Sequence, residues 1–393
     1  MKRFNIILFG ALAILVASCS KHAQPEPEFE PWVNDLSLPV PIQFGTPDVA
    51  QTKASPVDKA SDLAGRRLGV FAINNDPDAD WNESDNVLLN NASATYTGEA
   101  NAGSLQFIGS STSDLVSKYY PVKSDINYTF YGYYVQVGAT LTDSTTPSIT
   151  NSVYSVDVEF GSLDYLWAKS VAKDYIATEG TYKGYNAKYI RKITQADQAS
   201  TYMPAFAFKH ITSLVSFVAK GDSADSIKDS DFADIQVCSI VVNDAVKKAK
   251  LCIANKSEIA SRNPEKEGKF FDVDKEKTGS IAMRAVFYDG TLDTWLPNGK
   301  TPCVPTIAGV TLGQGLFLCP GYEYSISVYY RSNATGWPPV ELKVDTPKLE
   351  AGKKYEYTLV FHKSTKVDIS VTLDEWQSGE WQSGQSNEIK DLN

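Results

Sequence analysis

Five cysteines, three histidines and one short acidic run are the residues of this 393-residue chain whose types could carry chemistry. Cysteine can be acylated, oxidised or made a nucleophile, histidine can move protons or bind a metal, and clustered carboxylates can hold calcium. Spacing narrows that range. His22, His210 and His362 stand far apart, and none has a nucleophile motif beside it. His210 falls in an apolar run, Phe206–Ala219, where a core or interface histidine is expected rather than a catalytic one. The chain has no nucleophile elbow, no HExxH, no phosphate loop and no CxxC pair. Asp76, Asp78 and Asp80 alternate as in a calcium loop, but Pro77 and the missing distal Glu break the pattern, which leaves a solvated acidic loop. The expectation is a chain with no catalytic residues, no metal and no cofactor.

Cys19 is different. It follows a basic start at Lys2 and Arg3, an apolar run of 11 residues from Ile6 to Val16, and the small residues Ala17 and Ser18. A spanning helix needs about 20 apolar residues, so residues 1–18 read as a secretion signal. Val16-Ala17-Ser18-Cys19 resembles the bacterial lipobox, in which the thiol is diacylated and the chain is cut ahead of it. Buried acyl chains contribute about 0.8 kcal/mol per CH₂, and more than one on a residue gives stable anchoring. The other four cysteines, Cys238, Cys252, Cys303 and Cys319, all lie in the second half. In an oxidising compartment three disulfide pairings are open to them; the alternative is four buried free thiols.

These residues need a scaffold, and composition says what kind. With 42% hydrophobic residues, 21 Tyr and 17 Phe, the chain has core material enough for two domains. Its net charge is −10, or −12 once Lys2 and Arg3 leave with the signal, so no nucleic-acid partner is expected. Residues 19–37 set Pro25, Pro27 and Pro31 among Glu26, Glu28 and Glu30, and read as an extended acidic tether. Beyond it the hydrophobic period is two. Val367, Ile369, Val371 and Leu373 alternate with polar residues, as do Tyr355, Tyr357, Leu359 and Phe361, and Tyr324, Ile326, Val328 and Tyr330. Earlier strand candidates are Leu38–Phe44, Arg67–Ile73, Tyr128–Val137, Val153–Phe160, Phe206–Ala219, Ile235–Val242 and Ile281–Tyr288. Gly, Asn, Asp and Ser clusters separate them, and long helical periodicity is nearly absent. The expected fold is all-β, with two antiparallel β-sandwiches in tandem over residues 38–200 and 201–375 and a tail at 376–393. The boundary is placed where the polar stretch 172–201 gives way to the near-continuous apolar run 203–219.

The order of short motifs points to a family. Thr52-Lys53-Ala54 after an early strand, then Leu68-Gly69-Val70-Phe71-Ala72, Asp164-Tyr165-Leu166-Trp167-Ala168, Phe206-Ala207-Phe208-Lys209-His210, and Gly352-Lys353-Lys354-Tyr355-Glu356-Tyr357 running to Trp376, together resemble the fimbrillin family of Bacteroidales. The resemblance implies two transthyretin-like β-sandwiches, an outer-membrane lipoprotein at the cell surface, and a subunit of type V pili. It further implies that a surface protease cuts behind the first strand, which leaves, and that a neighbouring subunit fills the gap with a strand from its carboxy-terminal end. An open sheet edge beside an apolar groove is a template for such a strand.

Carried onto this chain, the removable segment is 38–54, with Leu38–Phe44 as its strand and the cut at Lys53-Ala54. The family has Arg where this chain has Lys53, which leaves open an accessory or non-polymerising role. The donor candidates are Val367, Ile369, Val371 and Leu373, or the tail, where Glu375-Trp376-Gln377-Ser378-Gly379 is repeated at once as Glu380-Trp381-Gln382-Ser383-Gly384. The implied partners are other fimbrial subunits, the outer membrane through the lipid anchor, and a host or bacterial surface glycan or protein. A monomeric glycan- or host-binding adhesin of the same fold is the alternative, since seven Trp and many Tyr are also the material of sugar-stacking surfaces.

Overall fold

The computed structural model describes residues 30–45, 48–49, 60–97, 104–122, 124–135, 148–150, 153–223, 227–255, 266–273, 278–283, 303–333, 339–362 and 366–375. In chain order the strands of the first half are β1 (Val40–Pro41), β2 (Asp48–Val49), β3 (Leu68–Asn74), β4 (Val87–Thr97), β5 (Ser104–Phe107), β6 (Tyr119–Tyr120), β7 (Tyr128–Val135), β8 (Ser148–Thr150), β9 (Val153–Glu159), β10 (Tyr165–Ser170), β11 (Tyr175–Ala177) and β12 (Gly180–Tyr182). The second half adds β13 (Ala207–His210), β14 (Ser213–Gly221), β15 (Gln236–Val246), β16 (Lys248–Asn255), β17 (Phe270–Phe271), β18 (Thr278–Ala282), β19 (Val310–Leu318), β20 (Ser325–Arg331), β21 (Val340–Asp345), β22 (Lys353–His362) and β23 (Lys366–Glu375). Among the described residues there are also three short α-helices, α1 (Pro31–Asn34), α2 (Ala187–Gln195) and α3 (Ala199–Tyr202), and three single-turn 3-10 helices.

The fold is all-β, and its strands gather into two packed pairs of sheets. A seven-stranded sheet, ordered β2-β13-β10-β7-β3-β4-β5, faces a four-stranded sheet, β17-β16-β9-β8. Phe71, Tyr131 and Tyr133 of the first share a core with Val156, Leu251 and Ile253 of the second. The other face of the seven-stranded sheet is also covered, with Val70, Phe130 and Phe208 lying under Tyr189, Ile190 and Ile193 of α2 and under Val40, Ile42 and Phe44. Burial on both faces explains why every residue of β7 is buried and why its sequence, YTFYGYYV, lacks alternation. A second pair, β19-β14-β22-β23 and β18-β15-β20-β21, shares a core of Val215, Phe217 and Tyr357 with Ile240, Val242, Ile326 and Val328. Most pairings are antiparallel, but β14 lies parallel to β22 and β2 parallel to β13.

Three expectations need correction. Residue 200 does not divide the sheets: β13 pairs with β10, and β16 pairs with β9, so strands from the second half complete the first sandwich. The apolar run 206–219 is two strands, broken at Ile211-Thr212, where the chain passes from the first sandwich into the second. Apolar burial is continuous through that break, so hydropathy could not mark it. The tether expected over 19–37 is folded at its end: Pro31 opens α1, as proline does well in a first helical turn, and Val33 is 1% exposed.

Candidate functional site

The segment that the sequence marks as removable is seated in the body of the first sandwich. Pro39 and Pro41 fix an extended backbone and withhold two N–H groups, so the ladder is short: Val40 pairs with Tyr120 and Pro41 with Tyr119, followed by an Ile42 N–H to Lys118 O bond of 2.8 Å. The side chains do what the ladder does not. Val40, Ile42 and Phe44, two apart, all point inward and are buried. Phe44 stacks on Phe206 with centroids 5.3 Å apart and meets Phe107 and Phe130 edge-on, each at 5.5 Å. Burying three such side chains contributes roughly 1.5–3 kcal/mol each. Past them, Gly45 N–H donates to Pro204 O at 2.8 Å, and β2 adds itself parallel to β13 at the edge of the seven-stranded sheet.

Helix α2 holds the start of this segment. Asn186 caps it, accepting from Tyr189 N–H at 2.8 Å, and Ala187, Tyr189, Ile190 and Ile193 bury one face. Arg191, 5% exposed, donates to three main-chain carbonyls: Trp32 at 2.9 Å, Asp35 at 3.2 Å and Leu38 at 2.5 Å. Burial lowers its pKa from the ordinary guanidinium value, against the pull of the Asp35 carboxylate. Gln195 donates to Val33 O at 3.1 Å and Asn34 Oδ1 at 3.3 Å. Ser37 donates its N–H and hydroxyl to Asp35, closing the turn and lowering the Asp35 pKa. On β6, opposite Val40, Tyr120 has a buried hydroxyl with no hydrogen-bond partner, and burial pushes its pKa well up. Sequence reasoning missed α2; its signals were Asn186 as a cap and the spacing of Tyr189, Ile190 and Ile193.

The donor candidates are placed in part. Val367, Ile369, Val371 and Leu373 lie on β23, which runs antiparallel to β22 through ten paired residues at the edge of its sheet. Val367, Ile369 and Val371 pack half-buried on the second core, while Leu373 is 43% exposed. Cys19, Lys53, Ala54, Trp376 and Trp381 lie outside the described residues, as does the repeat that contains Trp381.

Three pieces of the sequence pattern meet where the sandwiches join. His210 Nδ1 is 2.8 Å from Asp164 Oδ2, Thr212 donates to Asp164 Oδ1 at 3.1 Å, and all three residues are buried. Gly352 N–H donates to Thr212 O at 2.8 Å with φ of 69°, and a Cβ there would stand 3.1 Å from His210 O. His210 is thus a junction residue sealed from solvent. His362 sits between two carboxylates, 2.8 Å from Asp222 and 2.8 Å from Asp368, and the Asp222 bond chiefly raises its pKa. Asp76 and Asp80 accept from the Asp78 and Asn82 N–H groups of their own loop. The disulfides weighed from sequence are not formed: Cys238, Cys252, Cys303 and Cys319 are free thiols. Burial pushes Cys238 to about 11 and Cys252 and Cys319 to about 12, which suppresses the reactive thiolate. Cys303 pairs with Val237 across a β-bridge and packs half-buried against the second core.

The described residues thus form two β-sandwiches with a seated leading strand and a sealed junction between them. The sequence pattern of the fimbrillin-like family matches residues 57–376, and the chain belongs to that family. That membership makes it a cell-surface fimbrial protein rather than an enzyme. Among solved structures, a candidate cell adhesion protein from Bacteroides uniformis is 17% identical, with 86% of this chain and 99% of that one covered and a TM-score of 0.47. One from Bacteroides ovatus is 12% identical, with coverages of 87% and 100% and a TM-score of 0.40. A third, from Parabacteroides distasonis, is 8% identical, with coverages of 88% and 98% and a TM-score of 0.37. Comparison with curated proteins finds no match. No helix among the described residues is long and apolar enough to cross a membrane.

Proposed function

We propose that this protein is a structural or accessory subunit of a type V pilus, anchored to the outer membrane as a precursor by acyl chains on Cys19 and, once its leading segment is removed, joined to its neighbours by strand exchange. The observation that carries the reading is the seating of Leu38–Phe44, whose inward side chains fill a core groove while its ladder spans two residues and includes a proline. A strand that is apolar enough to be buried but poor in main-chain bonds leaves a groove that a better-paired strand would occupy more stably. The family match agrees in extent: it begins at residue 57, just past Lys53-Ala54, and ends at Trp376. In the closed subunit β23 completes its own sheet, so exchange draws on that edge strand or on the tail behind it. The experiment is the mature N-terminus of protein taken from the native cell surface, together with gel mobility before and after boiling. An acylated Cys19 precursor, a surface form starting at Ala54 and an SDS-resistant ladder support the reading; a monomeric surface form with an intact Leu38–Ala54 segment sinks it.

A further inference from the structure

We propose that α2 is a peptide-holding surface that retains the leading segment after the backbone is cut, so that the severed subunit stays closed until another strand displaces residues 31–44. This rests on the strand-removal reading above. Five polar contacts run from α2 to the segment, three from Arg191 and two from Gln195, and four of the five go to main-chain carbonyls. None depends on covalent continuity at Lys53. The segment needs this help, because Pro39 and Pro41 donate nothing and the β1–β6 ladder is two residues long. With the segment seated the Arg191 guanidinium is only 5% exposed, and departure exchanges its three carbonyl bonds for bonds to water, which opposes the step that removes them. Recognition by main chain makes the surface tolerant of sequence. Its ligand class is an extended polypeptide ending a helical turn, and its occupant here is the chain's own residues 32–38.

The test uses the full chain with a site-specific protease sequence in place of residues 51–55, cut to completion. Release of the leading fragment is timed by size exclusion and mass spectrometry. The fragment should co-elute with the body in the parent, leave about ten- to a hundredfold faster in Arg191→Gln, and leave at an intermediate rate in Arg191→Lys. Lys188→Ala, on the same helix but away from the segment, should match the parent. Melting of each uncut variant separates lost retention from lost fold. Prompt release from the parent overturns the proposal. So does an Arg191→Gln rate equal to the parent when Phe44→Ala is faster in the same assay. An intact Leu38–Ala54 segment on the native surface defeats strand removal instead, whatever these rates are.

Discussion

Phe44 touches rings from three separate parts of the first sandwich, so its loss leaves a hole that no single neighbour can close. Phe44→Ala should cost about 3–5 kcal/mol in chemical denaturation, with the midpoint shifting and the slope held. His362 gives a pH signature. Its folded pKa is raised by Asp222 and then Asp368, so the stability it contributes is fully present below the unfolded value of about 6.5 and is lost as pH rises through the folded value. Amide exchange at the β22–β23 end should therefore speed up as pH climbs through that window, beyond the intrinsic rate change. His362→Gln should flatten the excess; an unchanged profile in the variant would assign the effect elsewhere. The cysteines predict chemistry by exposure: all four body thiols should alkylate in unreduced denatured protein, and in the folded protein the half-buried Cys303 should react first. For Cys19 the lipobox predicts that Cys19→Ala abolishes acylation and frees the protein from membranes, and membrane retention at unchanged mobility would count against it.

At the scale of elements, alternation made the long edge and one-face strands legible. β20, β22 and β23 lie within a residue or two of their apolar-polar runs. What the sequence concealed had physical causes. The seven-stranded sheet is buried on both faces, so Tyr128–Val137 read as a strand without a period that could show its second covered face; Ile211 and Thr212 are as buried as the strands they separate, so the crossover left no mark. α2 was hidden inside a polar stretch because its outward face carries Lys188, Lys192 and Gln195. The seated segment was half legible. Leu38–Phe44 read as a strand, but nothing in the sequence announced Arg191, more than 150 positions away, as the group that holds it. β23 carries the element-scale prediction. Ile369 faces the second core from an edge strand, so Ile369→Asp should destabilise that sandwich by roughly 2–4 kcal/mol. Deleting Glu380–Asn393 should leave melting unchanged. A large loss of stability from the deletion would place the tail in the closed fold.

For the whole molecule, the chain passes between sandwiches at Ile211-Thr212 and again at Lys247, where β15 of the second runs into β16 of the first. Fragments cut at residue 200 should not fold, because the first would lack β13, β16 and β17. Assembly must then act on the intact pair, and it depends on the state of the leading segment. If strand removal opens the groove, polymerisation needs a protease that accepts Lys53, and Lys53→Arg should raise the yield of SDS-resistant ladder where the surface protease prefers arginine. Residues 30–45 should be absent from every rung. If the groove is never opened, Lys53→Arg changes nothing and each rung keeps its leading peptide. The measurement is peptide mapping of individual rungs from native surface protein and from the Lys53→Arg variant. A robust ladder whose rungs still carry Leu38–Ala54 refutes strand removal, because Phe44 and a donor side chain cannot both occupy the space between Phe107, Phe130 and Phe206. That result would leave an accessory or non-polymerising surface protein, closed by its own first strand.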